Sequence, residues 1–254
     1  IRQAMDRLVI GQVYKTDIQY SPDLKPYRIF FKLNGNQETH DSLAQCDSYI
    51  VLIYNVTRKM LVLSQHFRPA IYYNSIPVPD RQSNVIDTTK YPAQLGITLE
   101  MCAGIVDKNK SLQEIAKEEV LEECGYDVPL TDLQKIASYR AGVGVQGALQ
   151  TMFYCEVTDD MKVSTGGGVE DEIIEVVEKS ITEVEKWIYG PGPLNSPPSC
   201  LFALMWFLRN KADKYRKSFE RYCGECKVVE NEGFFTQCVS INKEYRVTYL
   251  SLDS

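Results

Sequence analysis

Histidine is nearly missing from this chain. The 254 residues include 2, His40 and His66. They stand far apart and belong to no ligand spacing or triad pattern, so each is read as structural. Without a Gly-x-Ser-x-Gly motif, serine-hydrolase chemistry has no support. Long hydrophobic runs are also missing. The longest, Cys200 to Leu208, is too short to cross a bilayer. There is no basic excess: 28 Lys and Arg against 34 Asp and Glu leave a net charge of -6. That balance argues against a general binder of nucleic acid or anionic membranes. The basic stretch Arg209 to Arg221 is accordingly read as a solvated face. The 8 cysteines form no ligand framework. Cys223 and Cys226 make one Cys-x-x-Cys with no second pair and no nearby histidine, a turn rather than a zinc site. Scattered cysteines without a leader-like segment predict reduced thiols and a cytoplasmic protein. Internal repeats and low-complexity tracts are lacking.

What is present concentrates between Gly104 and Tyr126, which read GIVDKNKSLQEIAKEEVLEECGY. Ser111 and Glu114 make a capping box, and Gly125 is the natural residue to end a helix, so the spacing predicts a helix over 112–124. Its last turns carry Glu118, Glu119, Glu122 and Glu123, at the end where the helix macrodipole is already negative. At ~100° per residue, Glu119, Glu122 and Glu123 share an arc of roughly 100° with Leu112 and Ile115. A face that is apolar in its first half therefore becomes acidic in its second. Three carboxylates against an adverse dipole call for a hard divalent cation bound by oxygens. The competing reading is a solvated acidic face.

Elsewhere, strands alternate with helices. Residues 12–34 carry short β-like runs, with Asn34-Gly35 as a turn, which predicts a small antiparallel sheet. Residues 48–54 and 60–66 read as a hairpin around Asn55-Val56-Thr57-Arg58, so the sequon there is expected to be a turn. Residues 74–95, rich in Pro, Asp, Ser and Asn, read as a long surface loop. Strands are expected over 100–105, 136–139, 151–157 and 173–177. Gly166-Gly167-Gly168 marks a flexible loop. A second capping box, Ser180 and Glu183, opens a helix. An amphipathic helix is expected over 200–216, and β-like pieces over 234–241 and 245–250. The alternation argues for an α/β core.

The spacing of Gly104, Glu119, Val120, Glu122, Glu123 and Gly125 resembles the Nudix hydrolase box. Lys110 stands where the box has Glu, and Glu118 where it has Arg; the exchanged charges would preserve an ion pair. Tyr126 replaces a final aliphatic residue. Further segments resemble the branch of the family acting on UDP-sugars and ADP-ribose. They are Thr39 to Ser42, Gln65 to Tyr72, Leu99 to Asp107, Gly142 to Gly144, Gln150 to Tyr154 and Gly166 to Val177. The resemblance implies an α/β/α sandwich with a mixed central sheet, plus a small N-terminal antiparallel β-sheet. It implies residues 1–45 as a dimer-contacting region, and 46–254 as the Nudix domain with an extension from about 221. The expected activity is Mg2+-dependent cleavage of UDP-glucose to UMP and glucose 1-phosphate, with Mn2+ as a substitute metal and ADP-ribose as a rival substrate. A homodimer is expected, with no nucleic-acid or membrane partner.

By the same resemblance, Glu119, Glu122, Glu123 and the Ala103 carbonyl hold metal. The catalytic base is a glutamate on a loop before a late strand, where Glu170 and Glu172 both fit. Arg68, Arg140 and Gly144 belong to the substrate pocket. For Arg68 the alternative is a surface ion pair, and for Arg140 a structural role. Besides a nucleotide-sugar hydrolase, two other readings stand. One is an RNA-end hydrolase, disfavoured by the acidic balance. The other is an inactive binding module, which the Lys110 and Glu118 departures keep alive and the three intact glutamates oppose.

Overall fold

The computed structural model describes residues 5–18, 21, 24–82, 85–168 and 173–216, and the backbone of four strands between 218 and 250. In chain order the elements are β1 (Val13–Tyr14), β2 (Lys25–Leu33), β3 (Asn36–Ala44), β4 (Ser48–Asn55), β5 (Met60–Phe67), α1 (Pro69–Ser75), β6 (Val85–Ile86), β7 (Ile97–Glu100), β8 (Cys102–Ile105), α2 (Leu112–Cys124), β9 (Gln134–Arg140), β10 (Leu149–Val157), β11 (Ile174–Ser180), α3 (Ile181–Ile188) and α4 (Pro198–Asn210). Two hairpins follow, β12 (Ser218–Cys223) with β13 (Cys226–Asn231), and β14 (Phe235–Ile241) with β15 (Glu244–Leu250).

Seven strands form one mixed sheet, in the order β11-β5-β4-β10-β9 with β7 and β8 attached. β10 runs parallel to β4, and β9 and β11 are antiparallel to their neighbours. The β4–β5 hairpin pairs only near its turn, from Asn55↔Met60 to Ile53↔Val62. Beyond that the two strands fork. β7 enters the fork along β5, from Phe67↔Ile97 to Ser64↔Glu100. The chain reverses at buried Met101, and β8 leaves along β4, from Val51↔Cys102 to Ser48↔Ile105.

Strand alternation then sorts side chains to the two faces. Ile50, Leu52 and Tyr54 of β4 pack with α3 and α4 through Val184, Leu204 and Phe207. Tyr49, Val51 and Ile53 point the other way, onto Ile115, Ala116 and Val120 of α2. The result is the expected α/β/α sandwich around a mixed sheet.

Two readings, of residues 74–95 and of the last helix, need adjustment. Residues 74–95 are not a bare loop: they include the end of α1 and β6, which pairs with β1, and Tyr72, Ile76 and Ile86 form a third buried cluster. The expected small N-terminal antiparallel sheet is present as the hairpin of β2 with β3, turning at the expected Asn34 (φ 52°) and Gly35 (φ 88°), the paired left-handed conformations of a type I′ turn. The last helix starts at Pro198, whose fixed φ suits a first turn, and ends at Asn210 rather than Arg216. The sequon asparagine is fully buried. Asn55 donates to Asp159 at 2.8 Å and accepts from the Arg58 amide at 2.9 Å, closing the hairpin turn.

Candidate active site

Helix α2 forms over the predicted residues. The Ser111 hydroxyl accepts from the Glu114 amide, and the Glu114 carboxylate accepts from the Ser111 amide at 2.8 Å. Gly125, at φ 74°, ends the helix in the left-handed conformation. A Cβ there would sit 2.2 Å from the Ser164 carbonyl oxygen, so the position admits only glycine. The negative helix end is covered from outside. Lys162 Nζ donates to the Cys124 carbonyl at 2.8 Å, and the Gly167 and Gly168 amides donate to the carbonyls of Glu123 (2.8 Å) and Glu122 (3.3 Å). The glycine run is thus docked on the helix end, which offsets part of the adverse dipole.

Glu119, Glu122 and Glu123 project into an open cleft of about 710 Å³, which Tyr49, His66, Arg68, Ala103, Gly104 and Lys108 also line. Glu123 is buried, 5% exposed, and its Oε2 accepts from the Ala103 amide at 3.3 Å. Glu119 accepts from the Tyr49 hydroxyl at 3.2 Å. Burial, and then the Glu119 charge, push the Tyr49 hydroxyl well above its ordinary pKa, so it stays a donor. Gly104 is pinned opposite Tyr49 by the β4–β8 register. A Cβ on Gly104 would fall 2.3 Å from the Tyr49 hydroxyl and 3.2 Å from Glu119 Cδ, which explains the glycine at this close approach.

The exchanged charges meet. Lys110 Nζ bonds Glu118, and Lys108 Nζ reaches the same carboxylate at 3.3 Å. Hydrogen bonds from Lys110 and Lys108 hold the Glu118 carboxyl below its ordinary range. Lys108 is raised, first by Glu118 and further by Glu122 and Glu119, so it is a firm cation at the rim of the cleft.

Arg68 is fixed by Glu100, which offers its two oxygens to Nε (2.7 Å) and Nη2 (2.8 Å). Thr98 donates a third bond to Glu100 at 2.6 Å. Glu100 is 5% exposed. Burial alone would raise its pKa, but Arg68 and Thr98 outweigh it and lower the carboxyl below the ordinary value.

The cleft therefore gathers Arg68, Ala103, Glu119, Glu122 and Glu123. It does not gather Arg140 or Gly144. Arg140, at the end of β9, donates to the Gly147 carbonyl at 3.0 Å, and the Gly144 carbonyl meets His40 Nε2 at 3.0 Å, beside the β2–β3 hairpin. Glu170 and Glu172 lie outside the described residues; Ile173 and Ile174, which follow them, line the cleft. Sequence reasoning missed Tyr49, Glu100 and Lys108. Glu100 carried a signal, a lone carboxylate in the apolar run Ile97 to Met101. Tyr49 carried none, because its partner is set by strand register.

The structure defines the class first: an α/β/α protein whose box forms loop, helix and loop over a forked mixed sheet. No family model matches the chain. Among curated proteins, it is 36% identical over 198 residues to the uridine diphosphate glucose pyrophosphatase NUDT14 of Bos taurus, covering 74% of this chain and 89% of that protein. To the Mus musculus protein of the same name it is 35% identical over 200 residues, with the same coverage. It is 35% identical over 128 residues to the GDP-mannose pyrophosphatase of Salmonella typhimurium, covering 50% of this chain and 56% of that one. The chain belongs to the Nudix hydrolase family.

Proposed function

We propose that this chain hydrolyses the diphosphate bond of nucleoside diphosphosugars, with UDP-glucose, cleaved to UMP and glucose 1-phosphate, as the leading substrate. The observation that carries this reading is the cleft in which Glu119, Glu122 and Glu123 converge with Ala103 and Arg68. The names of the relatives support the substrate class. The intact ion pair between Lys110 and Glu118 favours a working box over an inactive binding module.

The donor set fits a divalent cation. It holds three carboxylates at a negative helix end and a backbone carbonyl, all hard oxygens that suit Mg2+, with Mn2+ as a substitute. When bound, the cation supplies charge neutralisation on the diphosphate and a more acidic water. The chain's residues supply the rest. Tyr49 orients Glu119 through its hydroxyl, and the Ala103 amide orients Glu123. Arg68, held flat by Glu100, offers a forked donor to a phosphate, and Lys108 adds a second cation at the rim. Glu170 or Glu172 accepts the proton of the attacking water as its oxygen bonds phosphorus and the bridging P–O bond breaks. Arg140 and Gly144 sit beside the N-terminal hairpin, where a second subunit would bring them to substrate.

That second subunit is part of the proposal. Residues 1–45 form the contact region of a homodimer, and 46–254 the catalytic unit with its extension from about 221. β2 is exposed along its whole length, including Phe30 at 67% and Leu33 at 59%. An isolated two-stranded ribbon with an apolar face is marginal in water and calls for a partner. No described helix is long and apolar enough to cross a membrane. The free thiols of Cys102, Cys124, Cys155 and Cys200, all buried, suit a reducing cytoplasm. A panel of UDP-glucose, GDP-mannose and ADP-ribose with Mg2+, its products identified by mass, tests the assignment. Turnover of ADP-ribose alone would overturn the substrate and leave the chemistry standing.

A further inference from the structure

Directly behind the carboxylate cluster lies a second set of ligands. Cys102 Sγ, Cys124 Sγ and a Glu123 carboxylate oxygen lie within 4.8 Å of one another. All three residues are buried, and both cysteines are 0% exposed. They come from two elements. Cys102 opens β8 one residue before Ala103, and Cys124 ends α2 one residue after Glu123.

We infer that Cys102, Cys124 and Glu123 form an inhibitory site for a thiophilic divalent cation of the zinc class. Two sulfurs and one carboxylate are a borderline-soft donor set that Zn2+ accepts and Mg2+ does not. Tetrahedral coordination with Zn–S bonds near ~2.3 Å places the sulfurs about 3.8 Å apart, so the present group needs only a small contraction. A water completes the fourth position. Binding exchanges the two thiol protons for the cation and releases them to solvent. Glu123 faces both the open cleft and the cysteines, which gives the cation an entry path and gives the site its effect. An oxygen of Glu123 committed to zinc is withdrawn from the carboxylate cluster, and β8 becomes tied to the end of α2. The inhibitory half of this inference rests on the role proposed above for Glu123; the binding half does not.

Cobalt is the probe, because sulfur-to-cobalt charge transfer gives an absorption band that oxygen ligands do not. Metal-free protein titrated with Co2+ should develop that band with one equivalent, and Zn2+ should abolish it by displacement. Cys102→Ala and Cys124→Ala should each lose the band, although Cys46, Cys223 and Cys226 remain in both. In Mg2+-supported turnover, the Zn2+ concentration for half-inhibition should rise about tenfold or more in either variant. A wild-type protein without the band overturns the site, whatever the variants do. So does a band that survives in the double variant. Cys102→Ser and Cys124→Ser serve the same comparison should alanine disturb the core. Because the band is read without substrate, a protein that cleaves no nucleotide sugar but shows the band retains the site and loses only the activity. The reverse pattern loses only the site.

Discussion

Replacing Glu100 by Gln removes the charge of a buried carboxylate while keeping its shape. In the wild type this group accepts three bonds, two from Arg68 at 2.7 and 2.8 Å and one from Thr98 at 2.6 Å. Gln offers one acceptor oxygen and turns an NH2 group toward Arg68 or Thr98, so at least one bond is lost and another is weakened. A hydrogen bond to a charged group contributes about 1.5–3 kcal/mol. Arg68 is half-exposed, and solvent screening keeps the estimate at the lower end, about 2 kcal/mol in all. For a chain of this size that lowers Tm by about 4–8 °C. The pH dependence separates charge from shape. The folded carboxyl titrates below its unfolded value of about 4.3, so its stabilisation is complete above that value. It is lost as pH falls through the folded pKa. Thermal or urea unfolding should therefore show a constant gap between wild type and Glu100→Gln from about pH 7 to 5, closing below about pH 4. A gap that persists unchanged to pH 3, or a variant as stable as wild type at pH 7, would refute the reasoning.

Three further outcomes are expected. Glu123→Gln should bind Mg2+ more weakly by calorimetry and lose several kcal/mol of transition-state stabilisation with the fold retained; near-normal turnover would sink the metal assignment. Glu170→Gln and Glu172→Gln should differ, the true base losing kcat at little cost in KM along with the acidic limb of the pH profile, whereas two fully active variants would move the base elsewhere. Lys110→Glu or Glu118→Arg alone should lower Tm, and the double reversal should recover most of the loss; an additive double variant would deny the pair its role.

Local chemistry made the helix legible. Ser111, Glu114 and Gly125 fixed α2 to the residue, because caps and a C-terminal glycine act within one turn. That Glu119, Glu122 and Glu123 share one face followed from the 3.6-residue period, and the cleft gathers all three. What stayed hidden depends on contacts far apart in sequence. The fork at Met101, the register that lays Tyr49 over Gly104, and the pairing of β1 with β6 join segments that carry no mutual signal. The last helix was overrun by six residues because Lys211 to Arg216 keep a helical composition while the backbone departs at Lys211, φ -127°. Arg68 could be singled out as a cation after a strand, but not its anchor. Arg140 and Gly144 were placed by resemblance alone; Arg140 ends β9 and bonds the Gly147 carbonyl, and Gly144, on the loop that follows, meets His40 rather than the carboxylates.

The most direct test follows the products of UDP-glucose hydrolysis by ³¹P NMR, with the purified protein before and after Mg2+ is added. No turnover without the cation, then UMP and glucose 1-phosphate in equal amounts, is the predicted result. UDP with free glucose would mean cleavage of the sugar–phosphate bond, and would contradict cleavage of the phosphoanhydride.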